Sequence, residues 1–223
     1  MDKQIILTDD GSHTLFIPDL NEHYHSTFGA IQESEHIFIR SGLHYCMQFS
    51  RNLNILEVGM GTGLNVLLSV AESKQHALSI QYTALEPYPL PLSLASELNY
   101  AKSGKLKAYQ KLFNDIHTDD WCTPVMLHPG FVFKKLKSTI QEMVLQNNCF
   151  QLVYFDAFSP AVQPEMWTSA VFVKIFTAMV SAGILVTYCA KGSVKKLLKE
   201  VGFRVESLQG PPGKREITRA IKP

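Results

Sequence analysis

The sequence predicts an α/β fold of Rossmann-like type. Its sheet is mostly parallel, ends in an antiparallel hairpin, and is preceded by an N-terminal β-hairpin and helical extension. Three observations carry this. The stretch ILEVGMGTG at residues 55–63 runs a strand into a glycine at every second position, as at a tight strand-to-helix turn. After it, strand patterns alternate with amphipathic helix patterns, which is the signature of a parallel sheet covered on both faces. Finally, FRVESL and REITRAI are joined only by QGPPGK, too short for a crossover, so these two strands must be antiparallel.

The elements follow in order. QIILT and HTLFIP flank the turn signal DDGS and predict an opening hairpin. STFGAIQESEHIFIRSGLHYCMQF has helical spacing and reads as one or two helices. LNILEVG is a strand, and GLNVLLSVAES a helix with Leu64, Leu67 and Leu68 on one face. SIQYTALEP is a second strand ending at Glu86, and a helix restarts at PLPLSLASELN with Pro91 in its first turn. Residues 101–130 read as irregular with short helices. FVFKKL, FQLVYFDAF and GILVTYCA are further strands; EMWTSAVFVKIFTAMV is an amphipathic helix. SVKKLLKEVGF is a helix with Ser193 as N-cap and Gly202 past its end. The organisation expected is an extension over residues 1–50, packed on a core over residues 51–223.

Composition narrows the class. A chain of 223 residues with 46% hydrophobic content can bury one sizeable core. A net charge of +1 argues against a general polyanion binder. Cys46, Cys122, Cys149 and Cys189 have no CxxC spacing, so neither a zinc ribbon nor a redox pair is expected. His23 and His25 lack a third ligand in sequence, and no metal is assigned. The N-terminus has no signal-peptide pattern and no apolar run spans a bilayer, so a cytoplasmic protein without membrane contact is expected.

The glycine turn indicates a ligand class. No Lys-Ser or Lys-Thr follows Gly63, which excludes a P-loop, and Gly59-x-Gly61-x-Gly63 is one residue short of the dinucleotide fingerprint. Glu86 is placed to take ribose hydroxyls, as any adenosine site at a strand end requires. Glu57, just before the glycines, gives E-x-G-x-G-x-G. Together with the terminal hairpin this resembles the class I S-adenosylmethionine-dependent methyltransferases. The plain alternative is a tight turn that binds nothing, which three glycines in five residues disfavour on backbone entropy. Further on, FDAFSPAVQPEMW ends a strand at Asp156, at the sheet edge where open α/β folds hold ligands. A carboxylate beside a sulfonium can orient an amine or take its proton; the alternative is an aspartate that only caps a turn. Phe158 and Trp167 offer aromatic surface there, with Tyr188 a third candidate.

YHSTFGAIQESEHIFI, LEVGMGTGLN, FDAFSPAVQPEMWT, TYCAKGSVKKLLKEVGF and GPPGKREITRA together resemble the methyltransferase domain of the bifunctional MnmC enzymes, from about residue 24 to the C-terminus. The resemblance implies methyl transfer from S-adenosyl-L-methionine to the exocyclic amine of 5-aminomethyl-(2-thio)uridine at the tRNA wobble position. It implies a cofactor site of Glu57, Gly59, Met60, Gly61, Thr62, Gly63, Asn65, Glu86 and Pro87, with Tyr24 and Ser26 closing over it. Many methyltransferases hold adenine with an acid after the third strand; Ser138 and Thr139 stand there here, so Ser138 is the candidate. Full-length members carry a second, FAD-dependent oxidase domain. A chain ending at Pro223 is expected to lack it and to depend on a separate oxidase or other wobble-uridine enzymes for its substrate.

From Lys191 onward, nine Lys or Arg face three acids, a net +6. This suits phosphate contacts with an anticodon stem-loop, through Lys191, Lys214 and Arg215 above all; the alternative is a solvated helix face. A splayed base would stack on Phe158 or Trp167. Two rival readings share the adenosine site: an aminopropyltransferase of the spermidine-synthase type, whose cationic substrate the basic C-terminus would repel, and a non-catalytic cofactor-binding protein.

Overall fold

The computed structural model describes residues 2–102, 104–118 and 121–223. The predicted opening hairpin is present: β1 (Gln4–Leu7) pairs antiparallel with β2 (His13–Ile17), and a short β3 (Glu22–His23) extends it. The next stretch forms one continuous helical run of α1 (Ala30–Ser34), a π-helical middle Glu35–Leu43, and α2 (His44–Cys46). Ser41 Oγ donates to the His36 carbonyl five residues back at 2.9 Å, in step with the wider π turn. Gly42 brings this run down onto the sheet, since a Cβ there would stand 3.1 Å from Val186 and 3.2 Å from Tyr154.

The core alternates as its periodicity predicts. β4 (Asn52–Val58), α3 (Leu64–His76), β5 (Ser79–Leu85), α4 (Leu92–Ala95) and α5 (Gln110–Ile116) come first. β6 (Val125–His128), β7 (Phe131–Leu136), β8 (Phe150–Phe155), α6 (Ser169–Ala178) and β9 (Met179–Thr187) follow. α7 (Gly192–Val201), β10 (Arg204–Gln209) and β11 (Glu216–Ile221) close the chain. Among the described residues the main sheet has eight strands in the order β10-β11-β9-β8-β4-β5-β7-β6. β9, β8, β4, β5 and β7 are mutually parallel; β6, β11 and β10 run antiparallel to their neighbours. From β4 the chain steps outward to β5 and β7, then returns to β8 on the other side, so a switch point lies between β4 and β8. Open α/β sheets hold ligands at such a point, beyond the strands' carboxyl ends.

Local signals were right about element type and less so about ends. The terminal pair is antiparallel as expected, but β11 inserts between β9 and β10. β6 forms within the stretch expected to be irregular; that stretch includes Ser103, Asp119 and Asp120, which lie outside the described residues. Pro91 caps α4 instead of entering it. Ser193 is not the N-cap of α7: the helix already begins at Gly192, after Lys191. Gly202 ends α7 at φ +116° as expected. α6 starts only at Ser169, because Thr168 Oγ1 accepts from Val171 N–H and stops the helix there.

Alternation along the strands divides the core. Ile55, Tyr82 and Tyr154 face α3 and the helical run, whereas Leu56, Val153 and Phe155 face α6 and α7. The same period of two carries Glu57, Glu86 and Asp156 to the α3 side. Among the described residues no helix is long and apolar enough to cross a membrane.

Candidate functional site

The loop from β4 to α3 is shaped by contacts with its own chain. Gly59 has φ +89°, and a Cβ on it would lie 2.5 Å from the Asp156 carbonyl oxygen, so only glycine lets β4 and β8 end side by side. At Gly61 (φ +51°) a Cβ would meet the Tyr24 ring at 3.0 Å, so the extension roofs the loop. His25 Nε2 bonds Thr62 Oγ1 at 2.7 Å, and burial pushes that imidazole down to about 4, so it is neutral at pH 7. His23 and His25 both line the cavity beneath this roof.

Glu86 follows β5 and braces the loop. One oxygen accepts from Gly61 N–H at 2.9 Å, the other from Tyr88 N–H at 2.8 Å. Burial raises its carboxyl above the usual range, and these two amides oppose the rise. Glu57 is wholly buried at the base of the loop, and neither oxygen has a hydrogen-bond partner among the described residues. Burial holds it well above the ordinary carboxylate range, with Asn65 opposing and Asp156 adding to the rise.

Asp156 stands just past β8. Asn65, in the first turn of α3, donates from Nδ2 to its Oδ2 at 3.0 Å. Burial pushes the Asp156 carboxyl up to about 8; Glu33 adds to the rise, while Asn65 and Lys214 oppose it. Glu33 is a second carboxylate of the site, and sequence reasoning passed over it. It comes from α1, is 8% exposed, accepts from Ser26 N–H at 2.7 Å and pairs with Lys214 at 3.3 Å. The available signal was its helical phase, one turn before buried Ile37 on the apolar face. Lys214 also lies 5.0 Å from the Tyr188 ring centroid, and Tyr188 donates its hydroxyl to the Ala157 carbonyl at 2.9 Å.

These groups enclose a cavity of about 460 Å³ at the switch point, a size suited to a cofactor-scale ligand. Gly59, Met60, Gly61, Thr62, Glu86 and Pro87 form one wall, and Tyr24 and Ser26 the roof. Ser138, Thr139, Asp156, Phe158, Tyr188 and Lys214 complete it. Glu57, Gly63 and Asn65 lie behind the wall. Trp167 does not offer the aromatic face expected of it: it is 7% exposed, packs on Phe155, and donates from Nε1 to the Phe158 carbonyl at 2.8 Å. Its place is behind the Phe158 loop, since the short helical turn Pro164–Met166 folds it inward. Lys191 and Arg215 lie outside the cavity, in a shallow groove that shares Ser159, Tyr188 and Lys214 with it.

The basic C-terminal segment is less free than its charge count suggests. Lys195 pairs with Glu216, and Arg219 pairs with Glu206 while stacking 3.8 Å from the Tyr45 ring centroid. Among the described residues, Lys191, Lys199 and Arg215 are exposed and have no ion pair. The cavity itself is acidic, with Glu22, Glu33, Glu86 and Asp156 against Lys214. Its charge and its aromatic Tyr24, Phe158 and Tyr188 suit a cation-bearing ligand, and its rim suits an anion.

A family model described as S-adenosyl-L-methionine-dependent methyltransferase matches residues 107–223. The tRNA 5-methylaminomethyl-2-thiouridine biosynthesis bifunctional protein MnmC of Ralstonia nicotianae is 29% identical over 97% of the chain and 34% of that protein. Its namesake in Burkholderia mallei is 26% identical over 95% of the chain and 34% of that protein. The chain therefore spans about a third of the length of the curated relatives it matches. Among solved structures, MNMC2 from Aquifex aeolicus is similar over 100% of this chain and 72% of that one, at 26% identity and a TM-score of 0.76. The family match is to methyltransferases and does not favour the aminopropyltransferase reading.

Proposed function

The chain belongs to the family of S-adenosyl-L-methionine-dependent methyltransferases, and from that premise we propose that it methylates the exocyclic amine of 5-aminomethyl-(2-thio)uridine at the wobble position of tRNA, in the cytoplasm. The observation that carries this is the charge arrangement. Four acids and one lysine line the cavity, while Lys191, Lys214 and Arg215 rim the adjoining groove. Such a site favours a cationic cofactor and an amine inside and a polyanion outside. The names of the MnmC relatives support the same substrate.

S-adenosylmethionine, when bound, supplies a methyl group activated by the sulfonium charge. The backbone of Gly59–Thr62, with Met60 and Pro87, forms its bed, and Glu86 takes the ribose hydroxyls. Ser138 would bound the adenine end, beneath the roof that Tyr24 helps to form. Glu57, Gly63 and Asn65 act from behind, Asn65 by orienting Asp156. The residues of the 1–50 extension that line the cavity, Glu22 to Thr27 and Glu33, close it against water.

Asp156 is the catalytic residue of this scheme. An alkylammonium has no lone pair, so its proton must leave before nitrogen attacks. Burial raises the proton affinity of Asp156 to about 8; a sulfonium bound beside it would favour the ionised form, which can then accept the ammonium proton. Glu33 provides a second negative charge that holds the ammonium before deprotonation. Phe158 flanks the base, while Lys191, Lys214 and Arg215 take phosphates. An earlier step of wobble-uridine modification must supply the aminomethyl group that this reaction consumes.

The test incubates the protein with labelled S-adenosylmethionine and tRNA from cells lacking the modification, then identifies nucleosides by mass spectrometry. Label in 5-methylaminomethyl-(2-thio)uridine is expected. Tight cofactor binding without label in any wobble uridine would overturn the substrate and leave the family assignment intact.

A further inference from the structure

At the opposite end of α3 from the cavity, three metal-ligating side chains converge. Glu72 and His76 are one turn apart on α3, and His44 comes from α2; their ligand atoms all lie within 4.8 Å of one another. Glu72 is eight residues beyond Leu64, about 12 Å along the helix, so the cluster is remote from the methyl-transfer site. His44 Nε2 lies 2.6 Å and His76 Nε2 3.4 Å from the same Glu72 oxygen, Oε2.

The setting calls for a cation. The Glu72 side chain is 7% exposed and sits near the C-terminal, negative end of α3, where a carboxylate is disfavoured. Lys105 is the nearest fixed cation, at 3.8 Å from Oε1, but its closer partner is Glu35 at 2.7 Å. The two imidazoles pack on each other edge to face with centroids 5.8 Å apart, and Arg51 donates to the His76 backbone carbonyl at 2.9 Å where α3 ends. Ligands about 2.1 Å from a tetrahedral metal stand about 3.4 Å apart. The 3.4 Å pair already meets that spacing, and the 2.6 Å pair reaches it by opening less than 1 Å.

We propose that His44, Glu72 and His76 form a binding site for a divalent zinc-class ion, which staples α2 of the N-terminal extension to α3 of the core. Two imidazoles and one carboxylate are borderline donors that suit zinc, not the all-oxygen shell of magnesium or calcium. Water completes the coordination. The side chains of His44 and His76 are 38% and 31% exposed, which gives an entry path.

The test uses the full chain, freed of metal by chelator, in a Cys122→Ser background that removes an exposed competing thiol. Zinc binding is read by competition with a chromophoric chelator, and cobalt(II) provides a d–d absorption band. Wild-type ligands should bind one equivalent, show a tetrahedral cobalt band, and melt at a higher temperature in excess zinc. His44→Ala and His76→Ala should each weaken binding at least about tenfold and lose the thermal shift. Both histidines are partly exposed, and circular dichroism confirms that each variant is folded before its binding is compared; Glu72→Gln is the corroborating third variant. Zinc binding unchanged in the double histidine variant, or no stoichiometric binding by the wild-type site, overturns the proposal.

Discussion

Asp156→Asn should make the protein more stable, and increasingly so as pH rises from acid to alkaline. The substitution keeps shape and leaves an amide oxygen to accept from Asn65. Folding moves the Asp156 carboxyl from 3.8 up to about 8, roughly four units, and at about 1.4 kcal/mol per unit the ceiling is about 6 kcal/mol. Because the folded value is raised, the folded state holds the proton more tightly than the unfolded one. Below about pH 4 both states are protonated and the group costs nothing. Between about pH 4 and 8 only the folded state keeps its proton, so stability falls with rising pH; above about 8 the penalty is constant. From pH 5 to pH 7 the advantage of Asp156→Asn should grow by about 1.5–3 kcal/mol, the lower figure allowing for solvent reaching the carboxyl through the cavity. Urea unfolding at pH 5, 7 and 9, with no cofactor present, measures it. Parallel pH profiles for the two proteins would refute the reasoning, because Asp156 would then titrate as an ordinary carboxyl.

The same residue has a functional counterpart. Asp156→Ala should slow methyl transfer by about 10²–10⁴ while S-adenosylmethionine titration changes by less than about tenfold; near wild-type turnover removes Asp156 from the chemistry. Gly61→Val should abolish cofactor binding, because at φ +51° its side chain must displace Tyr24 from the roof, and an unchanged titration midpoint would show that this loop does not hold the ligand. Cofactor binding at pH 7 should release protons, since a sulfonium beside Asp156 favours its ionised form. Calorimetry in two buffers of different ionisation heat reads that release, and equal apparent enthalpies would count against a cation bound near that acid.

Much of the scaffold was legible because its signals are local. The glycine turn, the two-residue alternation of β4, β5 and β8, and Gly202 closing α7 all depend on neighbours within a few positions. Alternation even carried Glu57, Glu86 and Asp156 to one face. Ser193 failed as an N-cap because cap signals compete within a turn, and Gly192 was already helical. β6 escaped notice because a short edge strand has one partner and little apolar pattern. Trp167 looked like binding surface because an indole reads the same in a loop whether it faces a cavity or the core.

By itself the sequence determined which segments become strands and helices, the antiparallel ending and the acids at the strand ends, since dihedral preference and periodicity belong to residues close in the chain. Only the tertiary structure decided what those acids meet. It brought Glu33 from the N-terminal helix against Asp156, sent Lys214 from the last hairpin to pair with it, inserted β11 between β9 and β10, and joined His44 to Glu72 and His76. Partners that lie far apart in the chain leave no periodic trace: their proton affinities and ligand sets exist only once burial has removed water and folding has fixed the distances.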